Sequence, residues 1–314
     1  MPETTSSAPS DMPPADTSAP RETFLTSFDG TQLKLYSYGN PKRRPMVLVN
    51  GIGATRAAWK YVIERFSADY HIITWDYRGL FDSGSAPNIE SYRMADHAED
   101  LATILKAGSH QAPVLIGWSM GVQVVLEFHR NYGDLPHAFV ALNGAPGHML
   151  NKAFEHPIKR KVIDGLLKAG AYATESVGFL ASKLKGKEPV IGGLFSMIGK
   201  LGALSPDADA ELMKDLMREW LCHDMRIIAA ILSDLADHDP SDLLPSVSTP
   251  TLVLGGSDDP FTTQELVDRT ADGIRGAIRH VVPQATHFGL FEYPVQVNNT
   301  IENFLNGLKT SAVS

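Results

Sequence analysis

Residues 113–128 read PVLIGWSMGVQVVLEF, an apolar run that breaks at Gly117-Trp118-Ser119-Met120-Gly121 and then resumes. A buried strand has no use for a lone hydroxyl, and a linker would not lie between two apolar stretches. The first run, Val114-Leu115-Ile116, has the length and side chains of a core strand. The second, from Met120, spaces its apolar residues at three to four, as a helix does. Ser119 therefore sits where a strand turns sharply into a helix, flanked by two glycines that give a tight backbone room. A Gly-x-Ser-x-Gly pentapeptide in that setting is the pattern of a nucleophile elbow. The simpler alternative is a serine that caps the helix.

A serine hydroxyl becomes a useful nucleophile only when a base removes its proton and a carboxylate orients that base. Two later segments supply such groups. The run TLVLGGSDDPFT places Asp258 and Asp259 just after an apolar strand, and VVPQATHFGLFEYP places His287 just after the next one. All three groups arise at the carboxyl ends of strands, the edge where open α/β sheets build their sites.

Working outward, strand-like runs occur in TQLKLYSYG, PMVLVNG, HIITWDYRG, APVLIGW, HAFVALNG, TPTLVLGG and IRHVVP. Helical periodicity lies between them in SYRMADHAEDLATILKAG, MGVQVVLEFHRNYG, TTQELVDRTADGI and PVQVNNTIENFLNGL. Strands as apolar as Val47-Leu48-Val49, alternating with helices, predict an α/β fold whose mostly parallel central sheet is covered by helices on both faces. The alternation stops over residues 145–243, which read as an inserted helical cap. The expected organisation is a tail over residues 1–22, a core over 23–144, the cap, and a second core segment over 244–314. The tail is rich in Pro, Ser, Thr and Asp and poor in large apolar groups, a composition that cannot offset ordering entropy.

With these features the chain resembles the α/β-hydrolase superfamily from about Phe24 to Leu308. The resemblance rests on the order Ser119, then Asp, then His287, on the early loop VNGIGATRAAW, on DYRG at Asp76–Gly79, and on the cap after ALNGAP. It implies a catalytic triad of Ser119, His287 and an aspartate. The family's Gly-x-x-Asp pattern, counted from Gly256, lands on Asp259 rather than Asp258. Some members carry the acid after the preceding strand, where this chain has the uncharged Asn143. The resemblance also implies an oxyanion hole from the backbone amides of Ile52 and Met120, although Asn50-Gly51 stands where the family commonly has His-Gly. Asp76, Arg78 and Gly79 are expected to be structural. Trp118 either lines the acyl pocket or packs beside the strand. Haloalkane dehalogenases and epoxide hydrolases use an aspartate at the elbow, whereas Ser119 would form acyl esters.

The expected function is therefore a serine hydrolase acting on a small hydrophobic carboxylic ester, without cofactor or metal. A thioesterase, an acyltransferase and a carbon-carbon bond hydrolase share the same triad, and a non-catalytic binder of hydrophobic ligands is the rival from another class. The 314 residues carry a net charge of -8, which disfavours nucleic-acid binding. Cys222 is the single cysteine, so no internal disulfide forms. No run reaches the roughly 18 apolar residues of a membrane span, and no secretory signal is visible, so the expected compartment is the cytoplasm. Residues 145–203 carry nine Lys/Arg against four Asp/Glu, and residues 204–243 carry three against ten. Lys159, Arg160, Lys161, Lys183, Lys185 and Lys187 could meet anionic lipid at a membrane surface or a phosphorylated carrier such as coenzyme A, or simply form a solvated face.

Overall fold

The structure, a computed structural model, describes residues 19–147, 188–200, 202, 204–221 and 223–311. The basic cluster from Lys159 to Lys187 and Cys222 lie outside the described residues. Eight strands form one sheet: β1 (Arg21–Thr26), β2 (Gln32–Tyr38), β3 (Pro45–Val49), β4 (His71–Trp75), β5 (Val114–Trp118), β6 (Ala138–Leu142), β7 (Thr251–Gly256) and β8 (Ile278–Val282). Their order is β1-β2-β4-β3-β5-β6-β7-β8. β1 and β2 are antiparallel to their neighbours, and every pairing from β4 to β8 is parallel.

The helices are α1 (Lys60–Phe66), α2 (Met94–Ala107), α3 (Met120–Tyr132), α4 (Glu188–Lys200), α5 (Ala210–Leu221), α6 (Met225–Asp237), α7 (Gln264–Gly273), α8 (Gly289–Glu292) and α9 (Pro294–Ser311). The seven apolar runs read as strands are β2 to β8. β1 is an addition, and it corrects the boundary of the tail, because Arg21 and Glu22 pair with Ser37 and Tyr36. Five of its six residues are exposed. An edge strand that buries so little carries no apolar signal, so its pairing shows only in the fold.

Alternation along each central strand divides the interior. Val47 and Val49 face one core layer with Leu115, while Met46 and Leu48 face the other with Val114 and Ile116. Met94, Ala98, Leu101 and Leu105 of α2 close the first layer at helical spacing. Val297, Ile301, Phe304 and Leu305 of α9 close the second. Between β6 and β7 the regular elements among the described residues are helices. α4 and α5 dock on the second layer through Ile191, Met213 and Met217, and α6 docks on the first through Ile228, Ile231 and Leu235.

The strand order reverses at β3 and β5: the chain leaves β3 toward β4 on one side and leaves β5 toward β6 on the other. Loops following two such neighbours diverge and open a crevice at their carboxyl ends. Val49 pairs with Gly117, so the loop starting at Asn50 and the turn at Ser119 begin side by side.

DYRG serves this frame. Arg78 is fully buried and forms a bidentate pair with Asp100, with a third bond to Asp29. Below it, His97 is fully buried against the Tyr77 ring, centroids 4.6 Å apart, and neither ring nitrogen has a partner among the described residues. Burial, with Arg78 adding repulsion, pushes His97 down to about 3. Because the folded value lies below the unfolded one near 6.5, the unfolded chain takes up this proton first. Stability linked to His97 is therefore complete above about pH 6.5 and is lost as pH falls toward 3. His97→Leu removes the effect. Denaturant titrations at pH 7 and pH 5 are expected to show the stability difference between variant and wild type moving by about 2 kcal/mol in the variant's favour.

Candidate active site

Ser119 adopts φ 55° and ψ -119°, a conformation that costs a non-glycine residue about 1–3 kcal/mol. The surroundings enforce it. A Cβ on Gly121 would lie 2.1 Å from the Val49 carbonyl oxygen, and one on Gly117 would lie 2.6 Å from the Gly121 oxygen. Gly144, which the pentapeptide pattern does not include, is equally confined: its Cβ would fall 2.6 Å from the Ser119 oxygen. The Ser119 amide is held by the Leu142 carbonyl at 3.0 Å. The first turn of α3 thus packs directly on the end of β3.

Three groups far apart in sequence meet here. His287 Nε2 lies 2.8 Å from Ser119 Oγ, and His287 Nδ1 lies 2.9 Å from Asp259 Oδ2. All three residues are buried. A carboxylate only accepts, so Nδ1 carries the ring proton and Nε2 is left to accept from the serine hydroxyl. Asp259 is itself fixed by its remaining bonds: Oδ1 accepts from the amides of Phe261 (2.8 Å) and Thr262 (2.9 Å), and Oδ2 also accepts from Asn143 Nδ2 at 2.9 Å. Asp258 points away to the exposed surface, where its carboxylate accepts from Ser257 Oγ.

Asn143 occupies the place of the alternative acid and acts as its partner instead. Its amide donates to Asp259 and to the Thr286 carbonyl at 3.2 Å. Two acceptors on one side settle which end of the amide faces them. Only the convergence of β6 with the loop after β7 brings this residue to the carboxylate, so nothing in its local sequence marks it.

The loop after β3 approaches from the other side. A Cβ on Gly51 would lie 3.3 Å from Ser119 Cβ, which places this loop against the elbow. Among the described residues neither the Ile52 amide nor the Met120 amide has an acceptor. Met120 begins α3, where the first amides of a helix lack internal partners and the helix dipole favours negative charge. Gly53, at φ 64°, is covered by Trp220 of α5, and Thr55 Oγ donates to Glu219 on the same helix at 2.8 Å.

Asn50, in place of the family's usual histidine, is fully used. Its Nδ2 donates to the Trp75 carbonyl, its Oδ1 accepts from Trp59 Nε1, both at 2.6 Å, and its carbonyl accepts from Tyr77 Oη at 2.7 Å. Trp118 is 5% exposed, its ring set edge-on to Trp59 and Phe291, and its Nε1 donates to the His287 carbonyl at 3.0 Å. The rings of Phe261 and Phe288 flank the imidazole, with centroids 5.0 and 5.8 Å away.

The profile of the alpha/beta hydrolase family matches residues 46–300. The chain belongs to the alpha/beta hydrolase family. It is 26% identical over 271 residues to a Synechocystis sp. protein that carries a non-heme chloroperoxidase name, covering 83% of this chain and 91% of that one. It is 22% identical to epoxide hydrolase 3 of Xenopus tropicalis, covering 86% and 74%. Among solved structures, an esterase of Exiguobacterium antarcticum superposes with a TM-score of 0.75 at 18% identity, covering 91% of this chain and all of that one. Such distant likeness within the alpha/beta hydrolase family shows a shared fold and a hydrolase scaffold. Among the described residues no His, Cys, Asp and Glu cluster could hold a metal ion, and no helix is long and apolar enough to cross a membrane.

The Asn50 bonds make a structural test of the loop. Asn50→Ala leaves the Trp59 indole and the Trp75 carbonyl buried without partners. Chemical denaturation is expected to show a loss of about 3 kcal/mol.

Proposed function

We propose that the chain is a serine hydrolase that cleaves a carboxylic ester with a hydrophobic acyl or alcohol part. The observation that carries this reading is the hydrogen-bonded line from Ser119 through His287 to Asp259, with both links under 3 Å. In the proposed reaction His287 Nε2 takes the hydroxyl proton as Ser119 Oγ attacks the ester carbonyl. Negative charge develops on the carbonyl oxygen, where the amides of Ile52 and Met120 receive it. Donors aimed at that charge in a site closed to water are worth several kcal/mol. His287 then returns the proton to the leaving alcohol, and Asp259 steadies the imidazolium between the two transfers. Water, activated by the same imidazole, releases the acyl group from Ser119.

A hydrophobic ester is favoured by what surrounds the imidazole. Phe261 and Phe288 present ring edges and faces, and no charged side chain other than Asp259 is bonded to it among the described residues. The esterase name of the Exiguobacterium antarcticum structure agrees with this reading.

A series of p-nitrophenyl esters of increasing acyl length tests the proposal. Wild type is expected to turn them over, and Ser119→Ala to lower kcat by about 10⁴-fold or more. Turnover by Ser119→Ala at the wild-type rate would sink the acyl-enzyme, and a thioester hydrolysed far faster than every oxygen ester would move the assignment to a thioesterase.

The acid is tested separately. Asp259→Asn is expected to cost about 10⁴-fold because the imidazole loses the partner that sets its tautomer, while Asp258→Asn stays within about twofold of wild type. The reverse ranking would reassign the acid.

A further inference from the structure

Glu292 closes the short helix α8 and is 5% exposed. Taking a carboxylate out of water costs several kcal/mol unless its oxygens are bonded. Here they are bonded to two separate parts of the chain. Oε2 accepts from the Thr286 amide at 2.7 Å, and Oε1 accepts from the Thr286 hydroxyl at 2.7 Å. The same Oε1 accepts from the Ser205 amide at 2.8 Å, in the segment between α4 and α5. The next residue strengthens this junction, because Tyr293 Oη lies 3.1 Å from Ser205 Oγ and donates to Asp207 at 3.0 Å.

Thr286 immediately precedes His287. Its carbonyl is held by Asn143, and the His287 carbonyl is held by the Trp118 indole. The main chain on both sides of the imidazole is therefore fixed by hydrogen bonds, and Glu292 accepts from both the Thr286 amide and the Thr286 hydroxyl. We propose that Glu292 is a positioning residue for His287 and couples it to the helical segment between β6 and β7, one carboxylate gripping both Thr286 and Ser205. The inference rests on the reading of His287 as the base. An apolar residue would fill the space at lower desolvation cost, but it would remove the one carboxylate that bonds both Thr286 and Ser205.

Glu292→Gln keeps the shape and spoils the junction. If the amide oxygen replaces Oε1, its NH₂ faces the Thr286 amide; if it replaces Oε2, the NH₂ faces the Ser205 amide. The experiment measures p-nitrophenyl ester kinetics, the rate at which a fluorophosphonate labels Ser119, and thermal unfolding, for wild type and variants. Absence of wild-type turnover would remove the proposed function itself and is distinguished from failure here. Given turnover, Glu292→Gln is expected to lower kcat about tenfold with KM within about twofold, and to slow labelling by the same factor in folded protein. A fall in Tm with kcat per labelled site unchanged overturns the proposal, because that is what a purely structural carboxylate would give.

The coupling is read from Tyr293→Phe, which loosens the Ser205 side without touching Thr286. Its effect on kcat is expected in the wild-type background and to vanish when Glu292 is already Gln. Additive effects would overturn the coupling. If Glu292→Gln fails to fold, Thr286→Val removes one donor only and is expected to lower kcat about threefold, an unchanged kcat overturning the proposal.

Discussion

The contact between the first turn of α3 and the end of β3 decides more of this molecule than any other. With Gly121 pressed on the Val49 carbonyl, the chain leaving β5 has no room for a relaxed turn, and Ser119 is forced to positive φ. Strain of that size persists only where the surroundings over-determine it. They do so here because β3 and β5 are neighbours at the buried centre of the sheet, and because Gly144 lets β6 deliver its own backbone to the same spot. The turn then holds the hydroxyl at the carboxyl edge, beside the loop that begins at Asn50.

From that edge the site is assembled by hydrogen-bond accounting. Asp259 receives four donors from three separate segments, which leaves its carboxylate one orientation and the imidazole one tautomer. The loop carrying Ile52 is tied down through Asn50, whose three bonds run to β4, to the turn before α1, and to Tyr77. A helical segment inserted between β6 and β7 leans on this loop through Glu219 and Trp220, and on the His287 loop through Ser205. The candidate site and the helical segment are thus joined at two places by short polar contacts, within a frame set by apolar packing.

Much of this was legible in the chain. The strands β3 to β7 announce themselves as apolar runs because a parallel sheet covered on both faces needs little but apolar side chains. Ser119, Asp259 and His287 stand at strand ends in an order that the family shares. β1 was not legible, since an edge strand whose outer face meets water carries no pattern that separates it from a tail. Asn143 was visible only as a missing acid, and Glu292 only as one carboxylate between His287 and the terminal helix. Each acquires its role from partners more than a hundred residues away, or from a segment such as Ser205 that no periodicity ties to it.

Sequence alone determined the sheet apart from its β1 edge, the elbow and the identity of the groups that meet, because periodicity, small residues at a tight turn and strand-end placement are local properties. Tertiary structure decided which of two adjacent aspartates faces the imidazole, what Asn50 and Asn143 are bonded to, and how the helical segment touches the site. Those choices depend on the directions of side chains brought together by strand order and loop convergence. A single chain read along its length carries the donors and acceptors, and only the folded arrangement pairs them.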